Sequence, residues 1–144
     1  MFAYCNSLTS AAELPATTLT ERCYESMFMN CTSLKTTQQI YAVTAAYKCC
    51  YAMFYGCTSL TAAPELPATT LMLNCYTTMF QGCSNLNYVK AMFTTNPNSN
   101  YYLNGWLTNV AETGTFVKNS AAAWSNTDAK IPTGWTVQTA SPDK

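Results

Sequence analysis

The residues of this 144-residue chain best equipped for chemistry are its eight cysteines. A thiolate is both a nucleophile and a metal ligand. Cys5, Cys31, Cys57 and Cys83 form one series with a 26-residue step, and Cys23, Cys49 and Cys75 form a second; Cys50 stands off both. No C-x-x-C pair occurs, so the spacing carries no zinc signature. Neighbours within a series, stacked one strand apart, could approach the ~5.5 Å Cα separation of a disulfide. Small thiols filling a narrow core explain the same spacing without a bond. The sequence therefore reads as reduced, core-filling cysteines with no metal, and Cys50 as the one expected at the surface.

Little else could do chemistry. The absence of histidine removes the commonest general base and metal ligand. The carboxylates Glu13, Glu21, Glu25, Glu65, Glu112, Asp128 and Asp143 form no paired constellation. Glu13 and Glu65 share a phase two repeats apart, ~9–10 Å at ~4.8 Å per strand. That separation suits an inverting glycosidase, but nothing else in the chain supports hydrolysis, and a solvated strand face is the simpler reading. Trp124 and Trp135 offer either core packing or a platform for a sugar, with packing the more economical. No catalytic residue and no cofactor are expected.

Composition narrows the partners. Seven basic and seven acidic residues give zero net charge, and charged residues are 10% of the chain, against ~25% in an average soluble protein. A nucleic-acid binder normally shows a basic face, so nucleic acid is excluded as the expected partner. No run approaches the ~18 apolar residues that cross a bilayer, so no membrane insertion is expected. MFAYCNSLTS lacks the charged start and apolar stretch of a signal peptide.

What must position these residues is a repeat. The stretch MFYGCTSLTAAPELPATTLMLNCYTT, residues 53–78, is rewritten through the first two-thirds of the chain. Met53-Phe54 recurs as Met1-Phe2, Met27-Phe28 and Met79-Phe80, and LeuProAlaThrThrLeu stands at 14–19 and 66–71. A fixed period of this size marks a stack of similar units. Leu60, Ala62, Pro64 and Leu66 alternate with Thr61, Ala63 and Glu65, which predicts a strand. Leu71, Cys75 and Met79 follow at steps of four, which predicts a helix. Gly56, Gly82 and Asn30 share the phase of a left-handed C-cap. The expected fold is an α/β solenoid of leucine-rich-repeat-like coils, each a short parallel strand plus a helix. Strands are expected near 8–14, 34–40, 60–66 and 86–92, and helices near 18–28, 44–54 and 70–80.

Residues 1–92 would be the solenoid, about three and a half repeats starting partway through one and so N-terminally truncated. Residues 93–144 would be a small C-terminal capping subdomain. In it AsnProAsnSerAsn at 96–100 reads as a turn and helix start, and 101–110 as a short helix burying Leu103, Trp106, Leu107 and Val110. GlyThrPheValLys at 114–118 and GlyTrpThrValGln at 134–138 read as paired strands.

The pattern CysTyr-x-x-MetPhe-x-GlyCysThrSerLeu, followed by LeuProAlaThrThrLeu, resembles the BspA-like leucine-rich repeats of bacterial surface proteins and related phage or secreted proteins. The likeness spans residues 1–92. It implies a non-catalytic, extracellular or cell-surface recognition or adhesion module with a protein or glycan partner. A structural spacer or assembly element of a larger surface or phage-tail protein is the alternative. The asparagine ladder of commoner leucine-rich repeats is missing, so details of the standard horseshoe do not carry over, and the resemblance fixes no site residues because the family's binding surfaces vary. The expected partner-binding face is the outward side of the stacked strands: Thr9, Glu13, Lys35, Thr37, Gln39, Thr61, Glu65 and Asn87, with Ala11, Ala63 and Val89 among them. The second repeat diverges, so Lys35 and Gln39 would give that face its character.

Overall fold

The computed structural model describes residues 2–97 and 100–140. Met1, Asn98 and Ser99 of the expected turn cluster, and Asp143 lie outside the described residues.

The three stretches expected as helices are not helical. Over 20–31, 46–57 and 72–83 the chain advances as consecutive turns, four residues to each repeat of the pattern. Odd-numbered N–H groups of the first run bond three residues back, as from Cys23 to Thr20 O (3.3 Å) and Met27 to Tyr24 O (3.2 Å). Even-numbered ones leave the run for the next. Arg22 donates to Tyr47 O (3.0 Å), Tyr24 to Cys49 O (2.9 Å), Ser26 to Tyr51 O (2.8 Å) and Phe28 to Met53 O (2.9 Å). The second run bonds the third in the same way, from Lys48 to Leu73 O and from Phe54 to Met79 O.

An α-helix satisfies its N–H groups internally; this ribbon sends half of them sideways. The chain turns out of the helix because every fourth residue takes a positive φ: Arg22, Ser26 and Asn30 at 57°, 54° and 57°, then Lys48, Ala52 and Gly56 at 50°, 52° and 74°. The third run repeats this at Asn74, Thr78 and Gly82. A four-residue unit returns side chains i and i+4 to one face, as an α-helix also does. The apolar steps Cys49–Met53–Cys57 are therefore equally compatible with both. The expected α/β solenoid with a helix in each repeat is overturned. Among the described residues the one helix is α1, Asn100–Leu103, and 104–109 continues as turns.

The strand expectation also needs correction. The sheet has three short parallel strands, β1 (Tyr88–Ala91), β2 (Gly114–Lys118) and β3 (Trp135–Thr139), in the order β1-β2-β3. Tyr88 aligns with Thr115, and Gly114 with Trp135. Stretches 8–14, 34–40 and 60–66 form only isolated bridges, Ser10 to Thr36, Ala62 to Tyr88 and Leu66 to Ala91. Burial there recurs every third residue instead of every second. Leu60, Ala63 and Leu66 point inward, as do Ala11 and Leu14. Of the set aligned with Leu60 and Leu66, Pro64 is buried but Ala62 is exposed, while Ala11, Ala63 and Val89, expected outward, are buried. A three-residue period is that of a polyproline-like chain, and Pro15, Pro64 and Pro67 hold φ near that range.

The core is a continuous cluster from Ala11 to Trp135. Its axis is a ladder of Phe2, Phe28, Phe54 and Phe80, with ring centroids 5.6, 5.5 and 5.6 Å apart and nearly parallel planes. Trp106 continues it at 6.5 Å from Phe80; Phe93 and Phe116 pack against Trp106, and Trp124 packs against both of them. All three tryptophans are buried and donate to carbonyls: Trp106 Nε1 to Ala129 O (2.9 Å), Trp124 Nε1 to Phe93 O (3.0 Å) and Trp135 Nε1 to Ala111 O (2.8 Å). A sugar platform on Trp124 or Trp135 is thereby ruled out, since neither ring face is open. Gly114 lets β2 pass between Asn87 O and the Trp135 ring, where a Cβ would lie 2.6 and 2.7 Å away.

The positive-φ columns give opposite expectations at two sites. An alanine at Gly56 would carry the left-handed cost of about 1–2 kcal/mol and drive its Cβ into the Asn30 amide. Ser26→Gly relieves that conformational cost at a half-buried site. Urea denaturation should show Gly56→Ala destabilised and Ser26→Gly unchanged or stabilised. The reverse order would mean that the ladder does not impose these conformations.

Candidate partner-binding face

The thiols are placed by the turn ladder. All eight cysteines are free. Cys31, Cys57 and Cys83 sit behind the phenylalanines, and each thiol donates to a carbonyl one layer away: Cys31 Sγ to Phe2 O (3.0 Å), Cys57 Sγ to Phe28 O (3.1 Å) and Cys83 Sγ to Phe54 O (3.0 Å). Burial pushes the Cys57 and Cys75 thiols up to about 12, and Cys83 higher still. These sulfurs are packing and donor groups, held far from the thiolate form that reacts. Cys50, expected at the surface, is buried at 1% exposure; Cys5 and Cys23 are the exposed ones. Cys50 points into the core because it takes the position of Tyr24 and Tyr76, both buried. Its thiol hydrogen-bonds Cys49, which lowers Cys49 and holds Cys50 protonated. Among the described residues no group of three or more Cys, Asp or Glu could hold a metal ion. No helix among them is long and apolar enough to cross a membrane.

The eight residues of the expected face divide. Thr9, Glu13, Lys35, Gln39, Thr61, Glu65 and Asn87 are exposed; Thr37 is half-buried, in phase with Ala11 and Ala63. Backbone bonds draw Thr9 to Lys35, from Lys35 N to Thr9 O (2.9 Å), and Thr61 to Asn87, from Asn87 N to Thr61 O (2.9 Å). Glu65 is engaged: Lys90 Nζ lies 3.2 Å from its Oε1.

Glu13 and Gln39 come together in a cleft of about 160 Å³, lined also by Leu14, Pro15, Gln38 and Tyr41. Leu14 is buried and forms the apolar floor, while Tyr41 remains 55% exposed beside it. Gln38 and Tyr41 escaped sequence reasoning. The available signal was their phase: Gln38 occupies the repeat position of Pro64 and Lys90, and Tyr41 that of Pro15 and Pro67. A second cleft of about 390 Å³ lies between 107–112 and 132–134, with Glu112 as its one charged side chain. On the turn side, Arg22 and Lys48 lie over the Tyr47 ring at 5.7 and 5.6 Å, and Lys48 lies 5.0 Å from Tyr51.

Compared with known proteins, the chain matches no family model, no curated protein and no solved structure.

Two measurements check the thiol assignment. Iodoacetamide on the native chain should label Cys5 and Cys23 and spare the other six until denaturant is added; early labelling of Cys50 would contradict its burial. The second is alkaline unfolding. Folded Cys57 and Cys75 keep their protons up to about 12, whereas an unfolded thiol loses its proton near ~8.5. Their stabilisation is complete below about pH 8.5 and is lost as pH rises through the folded values, at about 1.4 kcal/mol per pH unit per thiol. The urea midpoint should fall steadily above about pH 9, and a flat profile would contradict burial of these groups.

Proposed function

We propose that this chain is a non-catalytic recognition module, extracellular in setting, which holds a protein or glycan partner on the face around Glu13, Lys35 and Gln39. The cleft between the first two repeats carries this reading. It is the place where exposed members of the face meet a partly apolar concavity, the usual form of a binding site. Tyr41 in its lining is exposed, and tyrosine gives large contact area at low entropic cost. The likeness of the repeat to BspA-like surface proteins points the same way.

The test is retention of the immobilised chain on a panel of extracellular-matrix proteins and arrayed glycans. The double variant Lys35→Glu with Gln39→Ala should weaken any retained partner by about tenfold or more, as loss of a central contact does. Changes at Arg22 or Lys48 on the turn side should leave it unaltered. A partner lost through the turn-side changes and indifferent to the double variant would overturn the assignment. A chain that retains nothing would favour the spacer reading.

A further inference from the structure

The repeat supplies its own template for what the cleft holds. Glu13 and Glu65 occupy the same repeat position, and Gln38 and Lys90 occupy the position 25 residues further on. In the later pair of layers the carboxylate of Glu65 is met by the Lys90 ammonium at 3.2 Å. In the earlier pair the partner position carries a neutral amide, and Glu13 has no ion-pair partner among the described residues. No side-chain hydrogen bond of Glu13, Gln38 or Gln39 is made within the described structure either. The concavity of about 160 Å³ opens at this point, beside the exposed Tyr41 ring and above the buried Leu14.

We propose that the cleft is a lysine-capture pocket, occupied by a lysine side chain of a protein partner. This rests on the recognition reading and names the chemistry of its partner. The Glu13 carboxylate takes the ammonium, as Glu65 takes Lys90. An ammonium has three donors, and the amide oxygens of Gln38 and Gln39 accept the two that the carboxylate leaves. Leu14 and Pro15 cover the methylene stem, which lysine readily buries while keeping its charge in polar surroundings. The Tyr41 ring lies at the margin, where a cation gains from the face of an aromatic ring. The protein already places Lys48 over two tyrosines in this manner. An anionic ligand is disfavoured by Glu13.

The experiment follows methyl and tyrosine-ring resonances of the whole chain while Nα-acetyl-lysine methylamide is added, with the norleucine and arginine analogues as comparators. The lysine probe should shift the Leu14 and Tyr41 signals saturably, with the norleucine analogue about tenfold weaker or silent, since it lacks the charged donor. Glu13→Gln should abolish the response, and Glu65→Gln should leave it intact. Gln38→Lys is the decisive variant: it restores the internal pair of the later repeat and should close the pocket to the probe without loss of thermal stability. Equal response to norleucine would reduce the site to an apolar slot and overturn the proposal, as would a lysine response that survives Glu13→Gln, or no response at all. A preference for the arginine analogue would overturn the lysine assignment. A protein or glycan retained through Lys35 and Gln39 but indifferent to Glu13→Gln would sink the lysine pocket and leave the recognition reading standing.

Discussion

The structure depends on where the peptide N–H groups of the turn runs go. Alternate donors stay within the run and alternate donors cross to the next, as Cys23 and Tyr24 show side by side. A buried N–H without an acceptor costs as much as a lost hydrogen bond, so neither set can be released singly. The crossing set fixes the spacing between layers, and the phenylalanine ladder at 5.5–5.6 Å is a consequence of that spacing. Thr78 and Lys48, ill-suited to positive φ, take it where every fourth residue turns the chain out of the helix, and each is also a crossing donor.

Much of the layer plan was legible in the sequence, but its local conformation was not. The 26-residue recurrence of Met-Phe and Cys marked which side chains would stack, and Phe28, Phe54 and Phe80 do stack. Apolar steps of four predict a helix, and the same steps fit a four-residue turn unit. What separates the two is the destination of the N–H groups, which side-chain patterns do not encode. Asn30, Gly56 and Gly82 did announce a left-handed position, but Arg22, Ser26, Lys48 and Ala52 adopt it without any compositional sign. Likewise the alternation at 60–66 misled because proline-rich extended chain has a period of three. The strands at 114–118 and 135–139, rich in β-branched and aromatic residues and bounded by glycine, were readable from local pattern alone.

The candidate face was legible in part for the same reason. A period of two puts Ala11, Ala63 and Val89 outside, and they are inside. Glu13, Gln39 and Glu65 lie outside under either period at that end of the stretch. The divergence of the second repeat marks Lys35 and Gln39 as distinct from their counterparts in the other repeats. Its substitution at Gln38, which removes the counter-charge Lys90 supplies elsewhere, becomes visible only when the layers are set side by side.

The crossing bonds also show how the chain tolerates changes of length. The offset between bonded residues is 25 from Lys48 to Leu73 and 26 from Phe80 to Trp106. Between β2 and β3 the aligned residues are 21 apart. The layers thus keep register while their contour lengths differ, and the surplus or deficit is taken up in the connecting corners. A repeat array of this kind can gain or lose single residues outside its ladder columns without shifting any rung. Natural variation in such a lineage would then be written as small insertions and deletions at the corners, while the columns change only by substitution.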